Sequence, residues 1–128
     1  MGLDISFYSV KRDKVGYFRK VNFFLTYFNV DEDKDCVDII LDREKFAEFV
    51  ADLKCELLQY DSRKSQYPDS VEMPPVNPKF NTCEVFFGGS TLYDKFYWSD
   101  MQQVYDWAFD ILNSFDWDGH RLVLNCWW

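Results

Sequence analysis

The chain has 128 residues, with 22 acidic against 14 basic side chains and a formal net charge of −8. That length bounds a single domain, residues 1–128, with a core that needs no disulfide staples, and the acidity argues against direct binding to nucleic acid or to an anionic membrane. Five Trp, eight Tyr and thirteen Phe are more rings than a small core hides easily, so some are expected to line a surface patch or pocket.

Leu3, Ile5 and Phe7 alternate with Asp4, Ser6 and Tyr8, the period of a half-buried strand. Met1-Gly2-Leu3-Asp4-Ile5-Ser6 also fits the formal N-myristoylation pattern. A single acyl chain anchors weakly without a basic second signal, so the segment is read as a strand. No hydrophobic run reaches the ~18–20 residues that cross a bilayer, and no signal-peptide pattern is visible. Lys11-Arg12-Asp13-Lys14 makes a polar connection. Phe18, Val21, Leu25 and Phe28, spaced three and four apart, predict a helix over 17–28. A charged turn over 31–35 leads to a short strand over 36–41.

Asp42 is placed to cap a long second helix. Its Phe46, Phe49, Val50, Leu53 and Leu57 fall within roughly 100° of the circumference, a buried stripe. Pro68, Pro74, Pro75 and Pro78 make about 61–82 an irregular, proline-rich loop. Residues 83–87 read as a strand. Ser99-Asp100-Met101-Gln102 has the spacing of a capping box and is expected to start the third helix, buried through Val104, Trp107, Ala108, Ile111, Leu112 and Phe115. Residues 116–119 turn the chain into a last strand over 121–127. The expected order is β-α-β-α-β-α-β: a four-stranded sheet packed by about three helices, in an α+β or α/β fold. Cys36, Cys55, Cys83 and Cys126 form no C-x-x-C pair and are expected as buried, reduced thiols suited to a cytoplasm.

The segment Gly88-Gly89-Ser90-Thr91-Leu92-Tyr93-Asp94 follows a strand-like run, where open sheets tend to place ligands. Arg19, Lys20 and Asn22, joined to Gly88, Gly89, Ser90, Thr91, Tyr93 and Asp94, would grip a small anionic or nucleotide-like ligand. The cations hold phosphate or carboxylate, and the glycine turn and hydroxyls supply donors. The plainer alternative is a structural Arg19–Asp94 bridge, with Ser90 and Thr91 satisfying turn backbone. Gly-Gly-Ser-Thr lacks the lysine and spacing of a P-loop.

A second candidate is the acidic row Glu44, Glu48, Asp52 and Glu56, rising ~6 Å per step over ~18 Å on the side away from the apolar stripe. Residues 31–61 hold eleven acids against four bases, and Asp106 and Asp110 add charge on the third helix. Such a surface would imitate nucleic-acid phosphates and fill a basic groove on another protein, unless it is only a solvated face. Tyr97 and Trp98, beside Tyr93 and Phe96, are of the residue types favoured at interfaces.

Catalytic and metal signatures are weak. His120 is the single histidine, no nucleophile elbow surrounds Ser90, and no cofactor fingerprint or metal-ligand spacing is present. A carboxylate pair of Asp4 and Asp94 requires the first and third strands to be adjacent. No catalytic residue, metal ligand or cofactor is therefore assigned.

Four blocks occur in order: Met1-Gly2-Leu3-Asp4, Gly16-Tyr17-Phe18-Arg19-Lys20-Val21-Asn22, Phe87-Gly88-Gly89-Ser90-Thr91-Leu92-Tyr93-Asp94 and Trp127-Trp128. This pattern resembles a family of small uncharacterised proteins of bacteriophages and prophages. Its members typically open with MGLD and carry a Y-W-R-K-x-N helix and a G-S-T-x-Y-D segment. Here Phe18 stands where Trp is usual, and the glycine is doubled. Some relatives carry a phosphoglycerate kinase label, which does not suit a chain this short without a nucleotide motif. The resemblance implies a phage accessory protein in the cytoplasm of an infected or lysogenic bacterium and brings no established activity. The expected function is binding, leading to inhibition of a host defence or nucleic-acid-handling protein, in the manner of an anti-CRISPR protein. The alternative is a small anionic ligand or nucleotide signal held at Arg19 and Ser90–Asp94, and the third reading is an enzyme at that site.

Overall fold

In the computed structural model, residues 3–8, 14–30, 32–66, 72–82 and 92–127 are described, the side chains of Glu32 and Trp127 excepted. The alternation at the start of the chain gives strand β1 (Asp4–Tyr8). Strand β2 (Lys14–Arg19), helix α1 (Phe23–Tyr27), strand β3 (Asp38–Leu41), helices α2 (Arg43–Arg63) and α3 (Lys95–Ser114) and strand β4 (Leu122–Trp127) follow. Among the described residues the four strands form one antiparallel sheet in the order β2-β1-β4-β3. The fold is α+β.

Register divides the two faces of the sheet. Ile5 lies opposite Phe18 and Cys126, Phe7 opposite Leu124, and Leu124 opposite Ile39; these side chains form the inner face. Ser6, Tyr17, Asn125 and Asp38 lie side by side on the outer face, where Asn125 Nδ2 donates to Asp38 Oδ1 at 2.9 Å. The inner face meets the stripe predicted on α2, with Phe46, Phe49, Val50, Leu53 and Leu57 all buried, and the Met101, Val104 and Ala108 face of α3. Each of these Phe, Leu, Val and Met side chains contributes about 1.5–3 kcal/mol when fully removed from water. Trp107 joins the layers, with ring centroids 4.6 Å from Phe7, 5.1 Å from Phe18 and 5.8 Å from Phe46. The Phe46–Trp107 contact at one end and the stacked Tyr60–Trp98 pair at 4.4 Å at the other make α2 and α3 antiparallel.

Several expectations are corrected. Residues 17–28 are not one helix: β2 ends at Arg19, and α1 covers only Phe23–Tyr27. The apolar residues do turn inward, but through a strand, a turn and one helical turn. Lys20 breaks the path with φ +60°, a left-handed conformation that no helix continues through. The chain order among the described residues is therefore β-β-α-β-α-α-β, and the strand expected over 83–87 lies outside them. The third helix starts at Lys95, ahead of the Ser99–Gln102 box, because Asp94 Oδ1 accepts the N–H groups of Phe96 and Tyr97 at 3.0 and 3.2 Å. Cys36 and Cys55 are exposed and only Cys126 is buried; Cys83 lies outside the described residues.

The described end of the proline-rich segment, residues 72–82, is a packed strap, and Pro68 lies outside the described residues. Helix α2 runs three residues into the expected loop, and residues 72–82 return over the helices. Phe80 is fully buried. Trp98 Nε1 donates to the Met73 carbonyl at 3.0 Å, Tyr97 Oη to the Phe80 carbonyl at 2.8 Å, and Thr26 Oγ1 to the Asn81 carbonyl at 2.5 Å. These bonds satisfy backbone that has no strand partner.

Candidate functional site

The turn at Lys20 and the cap at Asp94 meet. Lys20 donates its N–H to the Leu3 carbonyl at 2.9 Å, which fixes the exit from β2, and Val21, Asn22 and Phe23 lead into α1. Between this entry and the first turns of α3 lies a cleft of about 280 Å³. Lys20, Asn22, Thr82, Asp94 and Asp100 supply its polar lining, and Val21, Phe23, Leu92, Phe96 and Tyr97 its apolar lining.

Three of the predicted ligand residues, Lys20, Asn22 and Asp94, are thus brought together. Arg19 is not among the cleft-lining residues. It is exposed on the outer sheet face, opposite Asp4, whose Oδ1 accepts from the Tyr17 hydroxyl at 2.5 Å. The expected Arg19–Asp94 bridge and Asp4–Asp94 carboxylate pair are therefore not formed. Tyr93 is buried behind the cleft, where its hydroxyl accepts the Thr82 N–H at 2.9 Å and its own N–H donates to Glu72 Oε1 at 3.0 Å. Gly88, Gly89, Ser90 and Thr91 lie outside the described residues.

The sequence reading missed Thr82 and Asp100 as cleft residues. Asp100 was hidden inside an apparent capping box, and its real position follows only from the earlier helix start. Burial, and then the charge of Asp94, push its carboxyl above the ordinary carboxylate range. Burial, and then the charge of Glu56, likewise push the Tyr97 hydroxyl up. The described part of the cleft carries one cation against two carboxyl groups, which does not favour a plain anion.

The acidic row on α2 does not present a continuous surface. Residues four apart advance about 40° beyond a full turn, so a row that starts opposite the apolar stripe rotates toward it. Exposure follows that rotation: Glu44 and Glu48 are exposed, Asp52 is half-buried and Glu56 is 2 % exposed. The last three carboxylates also meet partners. Glu48 pairs with Lys79 at 3.5 Å, Asp52 accepts from the Tyr27 hydroxyl at 2.6 Å, and Glu56 accepts the backbone N–H groups of Val76, at 3.1 Å, and Asn77. Tyr97 and Trp98, expected at an interface, are 8 % and 3 % exposed and anchor the strap.

The exposed acidic and aromatic surface is on α3. Residues 96–120 contain five Asp and no Lys or Arg. Phe109 is 52 % exposed, its ring centroid 5.9 Å from that of Tyr105, with Asp106 and Asp110 exposed alongside. Among the described residues no group of three or more His, Cys, Asp or Glu is placed to hold a metal, and no helix is long and apolar enough to cross a membrane. His120 Nδ1 lies 3.4 Å from Asp116 Oδ2 within its own turn. No protein-family model, curated protein or solved structure matches the chain.

Proposed function

We propose that this chain is an accessory binding protein of a phage or prophage that inhibits a basic host protein, of the defence or nucleic-acid-handling kind, by occupying its positively charged surface. The observation that carries this reading is the outward face of α3, where the Tyr105–Phe109 ring pair is set among Asp106 and Asp110 on a 25-residue stretch with no Lys or Arg. Rings supply contact area at small conformational cost, and carboxylates of one sign steer and select a basic partner. The test is a pull-down from bacterial lysate with the tagged chain and its Asp106→Lys/Asp110→Lys variant. The wild type should retain basic proteins that excess duplex DNA displaces and that elute on raising the salt. Capture that is the same for the variant overturns the reading.

A second reading is favoured by the cleft, which gathers Lys20, Asn22 and Asp94 from distant parts of the sequence. It makes the chain a small-ligand binder. A thermal-shift screen separates the two, since a ligand at ~100 times its dissociation constant stabilises a fold by ~2.7 kcal/mol.

A further inference from the structure

The cleft between the entries to α1 and α3 holds charge of both signs without internal neutralisation. Lys20 and Asp100 both line it, and neither side chain hydrogen-bonds or pairs with another residue in the described structure. Asp94 stands beside Asp100, and its Oδ1 is engaged by the N–H groups of Phe96 and Tyr97. The two carboxyl groups on the α3 side attract a cation, and the lysine ammonium on the α1 side attracts an anion. An occupant carrying one charge would leave the other wall unanswered.

Size and apolar lining narrow the class. At about 280 Å³ the cleft lies at the small end of the ~300–1,000 Å³ range of ligand sites, a size that suits a small metabolite. Phe96 is 66 % and Leu92 53 % exposed, so an apolar rim stands open beside the charged walls. We propose that this cleft binds a zwitterionic α-amino acid with an apolar side chain. Its ammonium lies toward Asp100 and Asp94, its carboxylate toward Lys20 and its side chain against Phe96 and Leu92. This inference rests on the small-ligand reading and replaces the plain anion by a zwitterion.

The experiment is isothermal titration of the full chain with the standard L-amino acids, and with 4-methylpentanoate, 3-methylbutylamine, inorganic phosphate and AMP. An apolar amino acid such as L-leucine should bind at least about tenfold more tightly than the two analogues that each lack one charge. Lys20→Gln and Asp100→Asn should each weaken it by roughly tenfold or more, with thermal unfolding of both variants checked to show that they are folded. An amino acid whose affinity neither substitution changes overturns the assignment, as do analogues that bind as tightly. Binding of phosphate or AMP with every amino acid silent overturns the zwitterion and leaves the small-ligand reading standing. Silence toward every probe overturns both.

Discussion

The buried carboxylate of Glu56 holds the backbone of Asn77, a residue 21 positions later in the chain. A second oxygen of the same carboxylate takes the Val76 N–H at 3.1 Å, so one side chain on α2 ties residues 76 and 77 onto the helices. Charge-assisted bonds of this kind are individually strong, and removing the acceptor leaves two part-buried donors without it. Glu56→Ala should therefore cost ~2–4 kcal/mol and lower the thermal midpoint by roughly 10 °C. Glu56→Gln, which keeps one acceptor oxygen, should cost less. A midpoint for the alanine variant equal to the wild type would show that the strap is held without this carboxylate.

Gly16 and Trp107 are matched in the same sense. A Cβ on Gly16 would stand 2.3 Å from Trp107 Cζ2, and the indole N–H donates to the Val15 carbonyl at 2.9 Å. The close approach of the ring, rather than an unusual φ, is what demands glycine. Gly16→Ala should destabilise by ~1–3 kcal/mol through overpacking. Adding Trp107→Phe, which gives up the hydrogen bond but shrinks the ring, should recover part of that loss. Denaturant unfolding of both single variants and the double variant would measure the coupling; strict additivity would count against the contact.

These two contacts also mark how far the sequence could be read. Helix α2 was legible because its stripe from Phe46 to Leu57 spans several turns and Asp42 caps it through the Lys45 N–H at 2.8 Å. Strand β2 was not. Phe18, Val21, Leu25 and Phe28 have helical spacing, and only long-range packing of Phe18 on Phe7 and Trp107 with the reversal at Lys20 decides otherwise. The acidic row was visible, but its burial depends on Lys79, Tyr27 and the strap, which no local pattern announces. Lys20, Asn22 and Asp94 were found by residue type, whereas Asp100 was lost to a cap that Asp94 supplies instead.

The thiols should separate by environment. Cys126 is buried and its thiol is pushed up to about 12 by burial, and the thiolate is the reactive species. Cys36 is exposed, but local desolvation, then the neighbouring charge of Asp35, raise its thiol as well. In a Cys83→Ser background at pH 8, a thiol reagent should modify exposed Cys55 first and Cys36 more slowly. Cys126 should react only as fast as the protein unfolds. Modification of Cys126 together with Cys55 in the folded protein would contradict its burial.

Asp100 ties the cleft to stability. Its folded-state carboxyl is raised by burial and by Asp94 above the ordinary value of 3.8, so the fold favours its neutral form. The unfolded chain loses that proton first as pH rises. The contribution of this group is therefore fully present below about pH 3.8 and is lost as pH climbs through its folded-state value. At pH 7, well above the value of the free carboxyl, this raised affinity for the proton is a net cost to folding. Asp100→Asn should accordingly raise the thermal midpoint at pH 7, and the gain over the wild type should shrink to nothing as the pH falls below that of the free carboxyl. The same substitution should weaken a ligand ammonium in the cleft, so stability and binding should move in opposite directions. Thermal unfolding from pH 3 to 8 for both proteins measures the first half. A variant less stable than the wild type at pH 7 would mean that Asp100 is a structural carboxylate and that the electrostatic account of the cleft is wrong.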